Sequence, residues 1–114
     1  MIKRAYNVMK EQPGGFVFPV SQFHPPIQRA LRMDSQGFVE MLDGKNQLVR
    51  TQDLEETYFD AGQFYWGHTE TWISNDYIFT GMSRGIAVGR FEAVDIDTEE
   101  DWRLAEKLIN VSKD

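Results

Sequence analysis

The 114-residue chain has no cysteine, four prolines and only two histidines, His24 and His68. The missing thiols exclude a disulfide framework and a structural zinc site built on thiolates. The two histidines lack metal-ligand spacing. No run approaches the roughly 18 apolar residues of a membrane span, and Met1 to Lys10 lack the apolar stretch of a secretory signal. The expected location is therefore cytoplasmic, with no membrane partner. Basic residues are the minority, 12 against 18 acidic, for a formal charge of −6. A nucleic-acid partner, which needs a basic face, is not expected. There is no Walker A loop and no G-x-G-x-x-G. What remains is 41% hydrophobic and 26% charged, ordinary for one globular domain.

Ile2, Ala5, Tyr6 and Met9 recur at i, i+3, i+4 and i+7, which predicts a short helix over 2–11, ended by Pro13-Gly14-Gly15. Phe16 to Val20 reads as a strand. Pro25-Pro26 forces an extended segment, and Ile27 to Leu31 continues it or makes a turn. Asp43-Gly44 lies between the apolar runs 38–42 and 47–49, which predicts a hairpin turning there. Tyr58 to Trp66 fits a buried strand, Thr69 to Asn75 a helix or turn, and Thr80 to Gly89, with three glycines, a mobile or ligand-facing loop. Phe91 to Ile96 reads as a strand. Thr98-Glu99-Glu100-Asp101 resembles a capping box opening a helix whose stripe is Trp102, Ala105, Leu108 and Ile109. A strand leading into a capped helix indicates an α/β class.

Asp95 and Asp97 carry the sharpest chemical signal. At i and i+2 of a strand end, both carboxylates face one side, with no cation beside them in sequence. Two hard oxygen donors suit Mg²⁺, which takes one or two carboxylates plus phosphates and water. The same spacing also suits Asp97 as a helix cap with Asp95 solvated. Arg29, beside Gln28, has the fork that clamps a carboxylate or pairs on the surface. Gln63 and Tyr65 alternate against Phe64 and Trp66, giving an amide and a phenol on one face. That pair suits a sugar-like ligand, or a core with one satisfied amide. Arg84 and Arg90 flank the glycine-rich segment, where an anion would meet them.

Four stretches occur in order: Phe23-His24-Pro25-Pro26-Ile27-Gln28-Arg29-Ala30-Leu31, Thr51-Gln52-Asp53-Leu54-Glu55-Glu56, Asp60-Ala61-Gly62-Gln63-Phe64-Tyr65-Trp66-Gly67 and Asp95-Ile96-Asp97-Thr98-Glu99-Glu100-Asp101-Trp102. Together they resemble the C-terminal half of the acylneuraminate cytidylyltransferase family, nearest its pseudaminic acid branch. The resemblance spans essentially the whole chain, read as one partial domain over 1–114.

The resemblance implies a Rossmann-like nucleotidyltransferase fold, a homodimer, and a β-hairpin arm, here about 37–50. It implies synthesis of a CMP-sugar from CTP and a nonulosonic acid with Mg²⁺. By resemblance Asp95 and Asp97 hold the metal, with Asp97 catalytic, and Gln63 and Tyr65 lie toward the sugar. Phe79 stands where the family packs an aromatic on the N-acetyl group. Gln28 and Arg29 stand where a polar residue meets the sugar or its carboxylate. The family's A-R-x-x-S-x-x-x-x-x-K-N loop, which holds the nucleotide, has no counterpart in the sequence. The chain alone is therefore expected to be inactive. The competing expectation is a non-catalytic sugar-binding or dimerisation module of the same descent, and a third is a fragment with no ligand.

Overall fold

Helix α1 spans Ile2–Glu11, as its periodicity predicts, and buries Ala5 and Met9. A computed structural model describes residues 1–12 and 14–112; Pro13, expected to end this helix, lies outside them. At the described end, the Gln12 N–H donates to the Met9 carbonyl (3.2 Å) and its side-chain amide to Met82 (2.5 Å).

Strand β1 (Val17–Gln22) follows, then β2 (Leu31–Met33), β3 (Val39–Met41), β4 (Tyr58–Asp60), helix α2 (Thr69–Ser74), β5 (Arg84–Val88) and helix α3 (Glu99–Ser112). The larger sheet has the order β4-β1-β5. β1 and β5 run parallel, Val17 opposite Arg84 and Ser21 opposite Val88. The chain divides into two compact units, Met1–Ser21 with Asp60–Asp114, and Gln22–Phe59.

In the first unit α1 closes over β1 and β5. Ala5 and Met9 meet Val17 and Ile86, with Val8, Phe64 and Trp66 packed around them. Tyr6 lies 4.9 Å from the Trp66 ring, and the Trp66 indole donates to the Ile2 carbonyl (3.2 Å). The helix stripe and the alternate strand residues thus form one small core.

The second unit is built on the β2–β3 hairpin, with Leu31 opposite Met41 and Met33 opposite Val39. The expected turn at Asp43-Gly44 is corrected: the hairpin turns at residues 34–38. Gly37 adopts φ +92°, while Gly44 stays out of the left-handed region that a tight hairpin turn requires. Asp34 instead accepts the N–H groups of Gln36 and Phe38 at 2.9 and 3.0 Å. Asp43 caps a single 3₁₀ turn over Gly44–Asn46. The ion pairs Arg32–Glu40, Lys45–Asp43 and Arg50–Asp53 are all exposed and add little stability.

Three other expectations are corrected. Tyr58 to Trp66 is not one strand, because Gly62 at φ +69° breaks it; only Trp66 returns to bridge Val17. The glycine-rich stretch is not a loop throughout. Arg84–Val88 pairs with β1, and the Arg84 N–H donates to Phe16 at 2.8 Å. Phe91 to Ile96 forms no strand, since no described strand pairs with it and the Val94 carbonyl is taken by the Gln63 amide at 3.2 Å. Among the described residues no helix is long and apolar enough to cross a membrane.

Candidate functional site

Residues 60–65 fold into a turn around Gly62. Asp60 sits at the end of β4 and points both carboxylate oxygens into that turn. Its Oδ1 accepts the Gly62 N–H at 2.9 Å, and its Oδ2 accepts the Tyr65 hydroxyl at 2.5 Å. The left-handed Gly62 brings the chain against Asp95: a Cβ at Gly62 would lie 2.6 Å from Asp95 Oδ2. Asp60, Gly62, Tyr65 and Asp95 therefore share one place in the first unit. The Gln63 amide donates to the carbonyls of Ala61 (3.0 Å) and Val94 (3.2 Å), tying this turn to the segment that carries Asp95. Tyr65 also lies 5.5 Å from the buried Phe18 ring, which the exposed Phe79 meets edge-on at 5.8 Å.

The Tyr65 phenol is pushed up to about 12. The hydrogen bond to Asp60 is the main cause, followed by burial and by the negative charges of Asp60 and Asp95. Tyr65 is thus a fixed neutral donor at physiological pH, with its oxygen lone pairs left to accept from a ligand hydroxyl. The folded state favours the protonated phenol. This stabilisation is complete below the ordinary pKa near 10 and is lost as pH rises through about 12. Asp60→Asn, which keeps the shape and removes the charge, is expected to bring this titration back toward about 10. Ultraviolet titration of the variant against Tyr65→Phe assigns the late phenol; an unmoved late step in Asp60→Asn would refute the Asp60 origin.

Asp97 starts the segment leading into α3. Its backbone N–H and that of Thr98 both donate to Asp101 Oδ2 at 3.0 Å, and the Thr98 hydroxyl accepts the Asp101 N–H at 3.1 Å. This reciprocal pair is the expected capping box. The hydrogen bond donated by the Asp97 N–H, then those donated by Thr98, hold the Asp101 carboxyl below its ordinary range. Its stabilisation is present above the ordinary value and lost as pH falls through the lowered one. The expected cap is thus Thr98 with Asp101, and the Asp97 carboxylate is not consumed by capping. Asp95 and Asp97 lie outside any strand, so strand alternation does not orient them.

Neither carboxylate has an ion-pair or hydrogen-bond partner among the described residues. A divalent cation is therefore tested on the donor set. The described residues contain no group of three His, Cys, Asp or Glu side chains able to hold a metal alone. Two exposed, unpartnered carboxylates fit Mg²⁺ if a ligand's phosphates and water complete its shell.

The structure brings Tyr65, Gln63, Phe79 and Asp95 into the first unit, and Asp97 follows in the same unit. Gln28 and Arg29 lie in the second unit. There the Gln28 amide donates to the Glu55 carbonyl and the Arg29 guanidinium to that of Val49, both at 3.1 Å. The Gln28 Oε1 is buried without a partner. Arg84 belongs to β5, not to a loop. Asp60 is the residue that sequence reasoning missed. Its signal was local: an acid two residues before a glycine and five before a tyrosine.

No protein-family model matches the chain. Two pseudaminic acid cytidylyltransferases of Campylobacter jejuni, from serotypes O:23/36 and O:2, are each 36% identical over 112 residues. The match covers 98% of this chain and 48% of each relative. A Helicobacter pylori protein, pseudaminic acid cytidylyltransferase and UDP-2,4-diacetamido-2,4,6-trideoxy-beta-L-altropyranose hydrolase, is 28% identical over 109 residues, which is 95% of this chain and 21% of that protein. The chain spans about half the length of the Campylobacter relatives it matches. Along essentially its whole length, this chain is similar to part of the pseudaminic acid cytidylyltransferases.

Proposed function

We propose that the chain is the part of a CMP-nonulosonate synthetase that supplies the metal carboxylates and the sugar pocket, with pseudaminic acid as the acid sugar. The observation that carries this reading is the turn that puts Tyr65, held by Asp60, and the free carboxylate of Asp95 in one place. The 36% identity to the Campylobacter enzymes supports the substrate class. The reading takes the chain as the C-terminal half of a Rossmann-like nucleotidyltransferase.

In this reading each residue has a stated task. The Tyr65 oxygen, fixed by Asp60, accepts from a sugar hydroxyl or amide. Phe79 offers an exposed ring for an N-acetyl methyl. Gln63 holds the turn to the Asp95 segment and lines the sugar side. Asp95 and Asp97 would hold Mg²⁺. The bound cation would neutralise phosphate charge while a sugar hydroxyl is aligned for in-line displacement of pyrophosphate. Arg29 is assigned to the sugar carboxylate as a fork, and Gln28 to a sugar hydroxyl, which would donate to its unpartnered oxygen.

The assembly proposed is a homodimer contacting through the β2–β3 arm. Register supports it: Leu31, Met33, Val39 and Met41 share one face, while Arg32 and Glu40 pair at 3.3 Å on the other. A two-stranded hairpin with one apolar face needs a cover.

The test is CMP-sugar formation from CTP, pseudaminic acid and Mg²⁺. The chain is assayed alone and together with the remaining region of a Campylobacter relative. Product is expected only in the mixture. Asp97→Ala should lower the mixed rate at least about a hundredfold, equivalent to about 3 kcal/mol of transition-state stabilisation. A mixed rate unchanged by Asp97→Ala would end the metal assignment. Product from the chain alone would show that the nucleotide is held by residues not identified as its binding site.

A further inference from the structure

Helix α3 has more apolar surface than its own unit covers. At about 100° per residue, Val111, Leu104, Leu108, Ala105, Ile109 and Trp102 follow one another around about 180° of its circumference. Charged and polar residues, Arg103, Glu106, Lys107 and Asn110, occupy the other half. A surface helix packing on one neighbour needs an apolar stripe of about 100°. α3 therefore carries enough for two. Yet none of these six side chains is buried. Ala105 and Leu108 are half-buried and, with Ile109, line an open groove of about 370 Å³ shared with the segment Phe91–Val94. Trp102 is 53% exposed, Leu104 48% and Val111 65%.

We infer that the Leu104–Leu108–Val111 side of α3 is the docking surface for the remaining part of the fold carried by the longer relatives. This rests on the reading of the chain as part of a synthetase. The occupant is chosen on length. The match takes 98% of this chain and leaves 52% of each Campylobacter relative outside it. A segment of that size is long enough to cover this face of α3. The partner region presents apolar side chains to α3 and leaves the Arg103–Asn110 side in water.

The experiment co-expresses this chain with the unmatched region of a Campylobacter relative. Size-exclusion chromatography with light scattering reads the stoichiometry, and hydrogen exchange reads α3. The expected result is a 1:1 complex whose α3 amides exchange at least tenfold more slowly than in the chain alone. Leu104→Glu and Val111→Glu should each weaken the complex at least tenfold, and Asn110→Glu should leave it unchanged. Circular dichroism of each variant alone checks that its helix content matches the parent. A complex indifferent to both glutamates overturns the surface. Absence of a complex, or a homodimer broken by Leu104→Glu, overturns the occupant. A 1:1 complex that makes no CMP-sugar leaves the docking standing and removes the synthetase reading.

Discussion

Gly15→Ala is expected to abolish cooperative folding. Gly15 adopts φ +71°, and a Cβ there would run into the backbone carbonyl of Met82 and the nitrogen of Ser83. Neither neighbour is a flexible side-chain end. The junction it closes starts the parallel pair: the Phe16 N–H donates to Ser83 Oγ at 3.0 Å, and the Arg84 N–H to Phe16 at 2.8 Å. The left-handed conformation costs a non-glycine residue about 1–2 kcal/mol. Separating two backbones raises the total past about 3 kcal/mol, a large share of the roughly 5–15 kcal/mol that holds a domain together. Gly14→Ala is the matched control. Its φ is +76°, yet nothing lies within 4 Å of its Cβ position. Thermal unfolding by circular dichroism should show a modest shift for Gly14→Ala and loss of the transition for Gly15→Ala. Equal shifts would mean that the close approach to Met82 has no energetic weight.

Gly62→Ala is expected to spare the fold and disable the site. Its Cβ would lie 2.6 Å from Asp95 Oδ2 and 2.8 Å from Asp95 Cγ. Asp95 is exposed, so its side chain swings away at little cost in stability. What remains is left-handed strain of about 1–2 kcal/mol. The carboxylate, however, leaves the place where Tyr65 and Asp60 converge. A misplacement of about 1 Å in such a site costs on the order of a hundredfold in rate. Gly81→Ala carries the same backbone strain at φ +82° with open space around its Cβ. In the mixed synthesis assay, Gly62→Ala should lose at least about tenfold more rate than Gly81→Ala at similar melting temperature. Equal rates for the two would show that the position of Asp95 is not set by the Gly62 turn.

Local signals carried the helices. The stripe of α1 and the Thr98–Asp101 box of α3 are satisfied within a few residues, so the sequence alone places them. The same holds for the Phe16–Val20 run, apolar throughout because β1 is covered on both faces. Long-range pairing was not legible. Arg84–Val88 looks like a loop because Gly85 and the flanking Gly81 and Gly89 weaken strand propensity, but the register places Gly85 opposite Phe18, where Val20 fills the space a Cβ would need. Asp43-Gly44 carries a hairpin cue that the chain does not use. Asp34 builds the turn earlier with two hydrogen bonds to the backbone.

The candidate site divides in the same way. The ordered motifs alone identified the relatives, because side-chain identity at a site is written directly in sequence. Asp95, Asp97, Tyr65 and Gln63 were legible as residue types suited to a cation and a sugar. That Asp60 holds Tyr65, that Gly62 opens room for Asp95, and that Gln28 and Arg29 are engaged with carbonyls of the second unit were decided by tertiary structure. The reason is physical. Residue chemistry and short-range periodicity are properties of the chain. A hydrogen-bond partner, a shifted phenol and a close approach exist only once distant segments are fixed in space.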